Sequence, residues 1–417
     1  MAIPFHNAVD SLRPRFGMLW LLVLLQLALQ AGATSLARRQ PKAPCEFAES
    51  EPLNSCAKVK RGEQLWQQHL EEAWSHLCKD SQTAPYMDVF LDKRFRQNYE
   101  KAYNSDGWTD AAWVNYVALK KAGDTYGQLT ERLVESVHRF SKHPIVVVNF
   151  GLQDPGLDPA RFPRLVLLHA RALDRGVSFN FNKFRAILLA QVKVGASLDS
   201  DMMMATPHAD QLLQRTEEEI NEKYRFPMMP THFLDRDPRD SESGKGNFAK
   251  YTCDQCPTPT MRWGQAQPTW THWSLNFVSR WLAAKIAGRP EQGVPTRDIS
   301  EDEDLLNVAL WKEGATKSWC AFQTGGINFL WENLYPQHPP GPSPYYDDPR
   351  YFPEGVPVAF YFGHAEKDPK HIDKALQYLA EPSRASMSSP KPFFHNMTFY
   401  ASFKDLAKAN PNLKCTL

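Results

Sequence analysis

The stretch His143–Phe150, HPIVVVNF, limits the folds open to this chain more than any other. Ile145, Val146, Val147 and Val148 follow one another without a polar interruption, bounded by Pro144 and Gly151. A strand with one wet face alternates apolar and polar residues. A run with no alternation has to be covered on both faces, as in the parallel sheets of α/β proteins. The segments before it complete the unit. Ala112–Leu119 (AWVNYVAL) is a short β-branched and aromatic run, and KAGDTYG is a turn. QLTERLVESVHRFS then places apolar residues at 129, 133, 134 and 137, which is helical spacing. Strand, helix and strand in about 40 residues make a βαβ unit. Arg164–Ala170 is a third strand candidate, and Phe181–Val192 reads as a helix with Phe184, Ile187, Leu188 and Val192 on one side. The alternation predicts the α/β class, with a Rossmann-type mixed sheet flanked by helices.

The chain ahead of this unit has a different character. Arg13 and Arg15 precede an apolar stretch from Met18 to Ala33 that ends in the small-x-small triplet Ala31-Gly32-Ala33. Residues 1–35 read either as a cleaved signal peptide or as an uncleaved type II membrane anchor. Both readings send the rest of the chain into the lumen of the secretory pathway. It would be held at a Golgi or endoplasmic reticulum membrane through this segment, or secreted if the signal is cleaved. All seven cysteines lie after the apolar stretch, where an oxidising compartment would let them pair, and an odd count leaves one over. Asn396-Met397-Thr398 is a glycosylation sequon usable only there. Lys and Arg number 48 against 47 Asp and Glu, so charge points to no nucleic-acid partner.

Residues 36–110 read as a stem followed by a helical extension, with an amphipathic helix over Gly62–Asp80 and a second over Asp88–Tyr103. Residues 111–380 read as the α/β domain and 381–417 as a C-terminal extension. Beyond Met204 the pattern predicts a strand at Phe226–Leu234, helices at Thr271–Gly288 and at Asp298–Gly314 with Ser300 as N-cap, and a last strand at Val356–His364.

The chemistry centres on VGASLDSDMMM, residues 194–204. Positions i and i+2 of a strand share a face, so Asp199 and Asp201 can converge at the carboxyl edge of the sheet. Open α/β sheets bind ligands at that edge. Two carboxylates there suit a hard divalent ion that also holds substrate phosphates. The plain alternative is a turn in which the two acids bond local backbone.

FNFNKFRAILLAQVKVGASLDSD resembles the segment of GT-A fold, glycogenin-like glycosyltransferases in which a K-x-R helix leads into an L-D-x-D strand. The resemblance spans roughly residues 112–375 and rests on architecture and short motifs. It implies a GT-A-like sheet and a metal-dependent transferase that moves a sugar from a nucleotide-sugar donor to a glycan or glycoprotein acceptor. By the same resemblance Asp199 and Asp201 bind Mn²⁺ (or Mg²⁺), with Asp199 also near the donor, and Lys183 and Arg185 are the basic helix residues beside the donor. Asp302-Glu303-Asp304-Leu305-Leu306-Asn307 resembles the family's D-Q-x-L-L-N helix start, which puts Asp302 or Glu303 at the transferred sugar. YFGHAEKDPK suggests His364 as a third metal ligand and Lys367 beside the diphosphate, although the family's H-x-x-G-x-x-K-P-W form is absent. Tyr126 falls where the family cups the nucleotide base.

Two other functions compete. A non-catalytic secreted carbohydrate-binding protein would keep a degenerate version of this fold. A redox protein would use Cys253 and Cys256, although the YTCDQCPTP loop is as readily a disulfide. No G-x-S-x-G, P-loop or dinucleotide glycine motif occurs.

Overall fold

The computed structural model describes residues 43–59, 62–119, 124–173, 177–204, 207–219 and 269–314, with four short strands at 319–322, 328–331, 358–362 and 397–400. In chain order the elements that matter here begin with α1 (Leu65–Cys78), β1 (Val89–Leu91), α2 (Arg96–Ala102), β2 (Thr109–Val117) and α3 (Thr125–Phe140). There follow β3 (Ile145–Asn149), β4 (Leu165–Ala170), α4 (Asn182–Leu189), β5 (Val192–Ser197), β6 (Met202–Met204) and α5 (Asp210–Glu219). Then come β7 (Thr269–Thr271), α6 (His272–Ile286) and α7 (Asp302–Gly314).

The main sheet has six strands in the order β1-β4-β3-β2-β5-β7. The four central strands are parallel, and β1 and β7 close the edges antiparallel. All five residues of β3 and all six of β4 are buried, as unbroken apolar runs require. The protein is therefore a mixed α/β fold with helices on both faces of its sheet. Val114, Val146, Val148, Val166 and Leu168 pack with α1, α4, α6 and α7 on one face. Trp113, Val117, Val147 and Leu167 pack with α3 and α5 on the other. We call these the first and second faces.

Local chemistry fixes the helix ends. Asp124 caps α3 by accepting the Tyr126 N–H, and His138 and Arg139 lie in its last turn, where the helix dipole favours cations. α6 ends in a Schellman motif: Arg289 N–H donates to the Ala284 carbonyl at 2.9 Å and Gly288 N–H to Lys285 at 3.1 Å. Gly288 adopts φ +61°, which a residue with a Cβ takes only under strain. At Gly195 on β5 the reason is space, because an added Cβ would stand 2.1 Å from the Trp270 ring.

The chain before residue 111 takes part in the same sheet. β1 pairs with β4, and Ala48 and Asn54 form bridges with Asp92 and Val89, so the second half of the polar segment 34–60 lies along a sheet edge. The helix expected over Asp88–Tyr103 is corrected. Its first part is β1 and a 3₁₀ turn, and only Arg96–Ala102 is α-helical. α1 packs along α6, with His76 bonded to Asn276 at 2.7 Å and the His69 ring 4.5 Å from that of Trp273. A disulfide joins Cys56 to Cys78 at the end of α1, and the buried Cys45 pairs with no cysteine among the described residues.

Further corrections concern boundaries. The helix expected to reach Val192 stops at Leu189, since Gln191 turns to φ 51° and Val192 opens β5. α7 begins at Asp302, not beside Ser300, because residues 296–298 form a separate 3₁₀ turn. The three methionines after the acid pair form β6, in a three-stranded sheet with Asn328–Trp331 and Val358–Phe362. The strand expected at Phe226–Leu234 lies outside the described residues.

Candidate active site

The order of the sheet already marks a place for a ligand. From β2 the chain moves outward through β3 to β4, then returns to lay β5 on the other side of β2. The β2–α3–β3 crossover runs over the second face and the β4–α4–β5 crossover over the first. The strand order therefore reverses between β2 and β5. Such a switch point is where open α/β sheets form a crevice. Asp199, Ser200 and Asp201 follow β5 directly at this point.

The two acids are not strand residues. β5 ends at Ser197, and Asp199–Asp201 form a turn closed by Met202 N–H donating to the Asp199 carbonyl at 3.0 Å. The turn is anchored through its middle residue. Asn115 Nδ2 on β2 donates to the Leu198 carbonyl at 2.8 Å and to Ser200 Oγ at 3.2 Å, and Thr130 Oγ1 on α3 lies 3.0 Å from Ser200 Oγ. Ser200 thus belongs to the second face. Asp199 meets Lys183 of α4, which packs on the first face.

Lys183 is the centre of the cluster. Its Nζ lies 2.9 Å from Asp199 Oδ1 and 2.9 Å from Asp302 Oδ2. Its side chain is 2% exposed, that of Asp302 6% and that of Asp199 20%. Burial by itself would drive the proton off Lys183, but Asp199 and then Asp302 hold it there, well above the usual lysine range. Burial raises the proton affinity of Asp199. Asp201 and Asp302 add to that effect and Lys183 opposes it, leaving the carboxyl above its ordinary value. Asp201 is itself buried. Tyr116, at the end of β2, has its ring 5.6 Å from Lys183 Nζ, and burial keeps its phenol protonated well above the usual range.

The remaining expected residues divide. Arg185 is buried but turned away from the acids. Its Nη1 donates to the Arg171 carbonyl (2.7 Å) and Asn182 Oδ1 (2.6 Å), its Nη2 donates to the Tyr86 carbonyl, and its guanidinium lies 4.9 Å from the Phe150 ring centre. Burial pushes its pKa down to about 9. These contacts tie α4 to neighbouring carbonyls. Tyr126 is 39% exposed in the first turn of α3, on the second-face side. Glu303 lies in α7, but its side chain is outside the described residues, as are His364, Lys367, Cys253 and Cys256. Sequence reasoning missed Tyr116, Asn115, Thr130 and Ser200. Only Asn115, a polar residue in the centre of AWVNYVAL, carried a signal that could have found them.

Among the described residues no group of three or more His, Cys, Asp and Glu side chains is arranged to hold a metal ion. Asp199 and Asp201 nevertheless fit a hard divalent cation in donor type, since both offer carboxylate oxygen. They also fit in crowding, since each acid near Asp199 raises its proton affinity.

No protein-family model matches the sequence, and no curated protein is significantly similar to it. Among solved structures, the galactosyltransferase LgtC in complex with donor and acceptor sugar analogs shares 15% identity. The match covers 67% of this chain and 98% of that one with a TM-score of 0.39. An active-site mutant of LgtC gives 13% identity, 66% and 99% coverage and a TM-score of 0.39. Mouse xyloside xylosyltransferase 1 in its apo form gives 9% identity, 62% and 99% coverage and a TM-score of 0.41. All three are glycosyltransferases; overlaps this loose assign no residue a role.

Proposed function

We propose that this protein is a glycosyltransferase of the secretory pathway, transferring a sugar from a nucleotide-sugar donor to a hydroxyl of a glycan or glycoprotein acceptor. The observation that carries the reading is the convergence of Asp199 and Asp302 on Lys183 at the switch point of a parallel sheet. The bond from the sugar's anomeric carbon to the diphosphate oxygen breaks, a bond to the acceptor oxygen forms, and the acceptor proton is released. The leaving diphosphate gains negative charge as this happens, so the site needs fixed positive charge and few mobile waters. Lys183 supplies a buried ammonium held protonated by its two acids, placed where a diphosphate lying over the turn would meet it. Asp199 and Asp201 would hold Mn²⁺ or Mg²⁺, which would supply Lewis-acid neutralisation of the diphosphate. Asp302 orients Lys183 from α7, while Ser200, Asn115 and Thr130 keep the turn in place before any ligand arrives. The apolar segment Met18–Ala33, the sequon and the Cys56–Cys78 disulfide support a lumenal location.

A second reading, a non-catalytic carbohydrate-binding protein, is favoured by one observation: Lys183 already neutralises two of the acids. A hydrolysis screen over nucleotide sugars with Mn²⁺ separates the two. The transferase reading expects slow, metal-dependent release of nucleoside diphosphate from one donor, abolished by chelation and restored by Mn²⁺. Asp201→Asn should lower the rate by about a hundredfold or more, the scale seen when a group facing developing charge is lost. No turnover of any donor, together with retained glycan binding, would establish the second reading.

A further inference from the structure

Four large apolar side chains stand exposed among the described residues: Leu65, Tyr126, Leu152 and Phe179. Leu65 opens α1. The other three lie on the connections that leave the carboxyl ends of β2, β3 and β4, the edge at which Asp199 and Asp201 follow β5. Isolated exposed apolar residues are ordinary on a protein surface. Three on one sheet edge around a buried ion cluster are a feature of that edge.

Phe179 differs from the other two in being built into the site. It sits in the 3₁₀ turn Phe179–Phe181 that leads into α4, where Ser178 Oγ accepts the Asn180 N–H at 3.4 Å. Its ring stacks on that of Tyr116, with centres 5.6 Å apart and planes 27° from parallel, and meets Phe150 edge-on at 6.4 Å. Tyr116 in turn has Lys183 against its ring. The next residue, Asn180, donates from Nδ2 to Glu301 Oε2 at 3.0 Å, tying this turn to the residue before Asp302. The exposed side of Phe179 is thus a preorganised aromatic surface beside the Lys183 cluster, flanked by an amide and a carboxylate.

Aromatic rings of this kind bind either a nucleobase or the C–H face of a sugar ring. Two features favour the sugar. Phe179 lies on the first face, together with Lys183, Asp199 and Asp302, whereas Tyr126 lies across the turn on the second-face side. A nucleotide sugar gripped at its diphosphate extends both ways from the grip, so its two ends take opposite sides. The flanking Glu301 holds Asn180 through one oxygen and has a second oxygen of the kind that accepts from sugar hydroxyls. We propose that Phe179 is a specificity-determining residue whose ring takes the apolar face of the donor's sugar, with Glu301 accepting from a hydroxyl of that sugar. The assignment rests on the nucleotide-sugar reading of the site.

Calorimetric titration with Mn²⁺ tests it. The titrants are uridine and guanosine diphosphates and their glucose, galactose, xylose and mannose conjugates, added to the full chain and to Phe179→Leu and Phe179→Tyr variants. Phe179→Leu should weaken the preferred nucleotide sugar about tenfold, the scale of one lost aromatic contact, and leave the bare diphosphate unchanged. Phe179→Tyr should restore the affinity. Equal weakening of both ligands would place Phe179 on the nucleotide and overturn the proposal with the transferase reading intact. No effect on either ligand would place Phe179 outside the donor's contacts and also overturn the proposal. A wild-type chain that binds neither diphosphates nor conjugates, while unfolding cooperatively, would remove the transferase reading and this proposal together.

Discussion

Lys183 and Arg185 are two residues apart and alike in charge, yet the fold gives them opposite tasks. Positions i and i+2 of a helix point about 200° apart, so only one of them can face the acids. Lys183 does, and Arg185 faces backbone carbonyls and the Phe150 ring. Spacing along the sequence treats the pair as one motif, and only the rotation of α4 separates them. Removing Lys183 leaves Asp199 and Asp302 facing each other in a buried place. Lys183→Met should lower stability to chemical denaturation by about 3–5 kcal/mol, as when one partner of a buried ion pair is lost. The loss should shrink as pH falls, because protonating one acid removes the repulsion. The further change Asp302→Asn should recover part of it at neutral pH. If Lys183→Met is as stable as the wild type at neutral pH, the contacts at 2.9 Å do not hold the cluster together.

Elements that bury both faces were the legible part of this chain. β3 and β4 appear where unbroken apolar runs put them, and α3 and α6 within the segments read as helices, although α3 starts earlier, at Thr125, inside the stretch read as a turn. β1 was illegible because three residues, Val89–Leu91, are too few to show a period, and their neighbours continue a helical pattern. The break at Gln191 was hidden too, since nothing in the run AILLAQV shows a left-handed residue. The acid turn was recognised by its residue types, but its anchor at Ser200 depends on Asn115 and Thr130, far apart in sequence. Between α1 and α6 the fold also stores a pH dependence. His272 opens α6, with its ring 5.5 Å from that of His69 and 5.0 Å from that of Trp273. Burial first, then His69 and Lys193, push its pKa down to about 4. The folded state therefore keeps His272 neutral while the unfolded chain protonates it near 6.5. Stability from this group is complete above pH 6.5 and is lost progressively as pH falls toward 4. The thermal midpoint should drop across that interval, and His272→Phe should flatten the drop. An unchanged slope in the variant would assign the acid sensitivity to other groups.

At the scale of the whole molecule, the boundary drawn before residue 111 cuts through a core. Leu70, Trp74, Leu77, Met87, Val89 and Leu91 are buried in the same cluster as Val166, Leu168 and Leu282. A chain beginning at Ala111 would expose that apolar surface and leave β4 an open edge. It should show no cooperative melt by far-ultraviolet circular dichroism, whereas a sharp transition near that of the full chain would show that the core is complete without the first segment. Composition marked the segment 34–60 as a stem because it is polar and lacks a period. Ala48 and Asn54 within it dock on the β1 edge by backbone pairing, which composition does not record. The turn after β5 carries a mechanical implication for the same architecture. Lys183 holds it from one helical layer and Thr130, through Ser200, from the other. Neither layer can slide over the sheet without dragging this turn, so a shear that begins in α3 is felt as a change in the gap between Asp199 and Lys183.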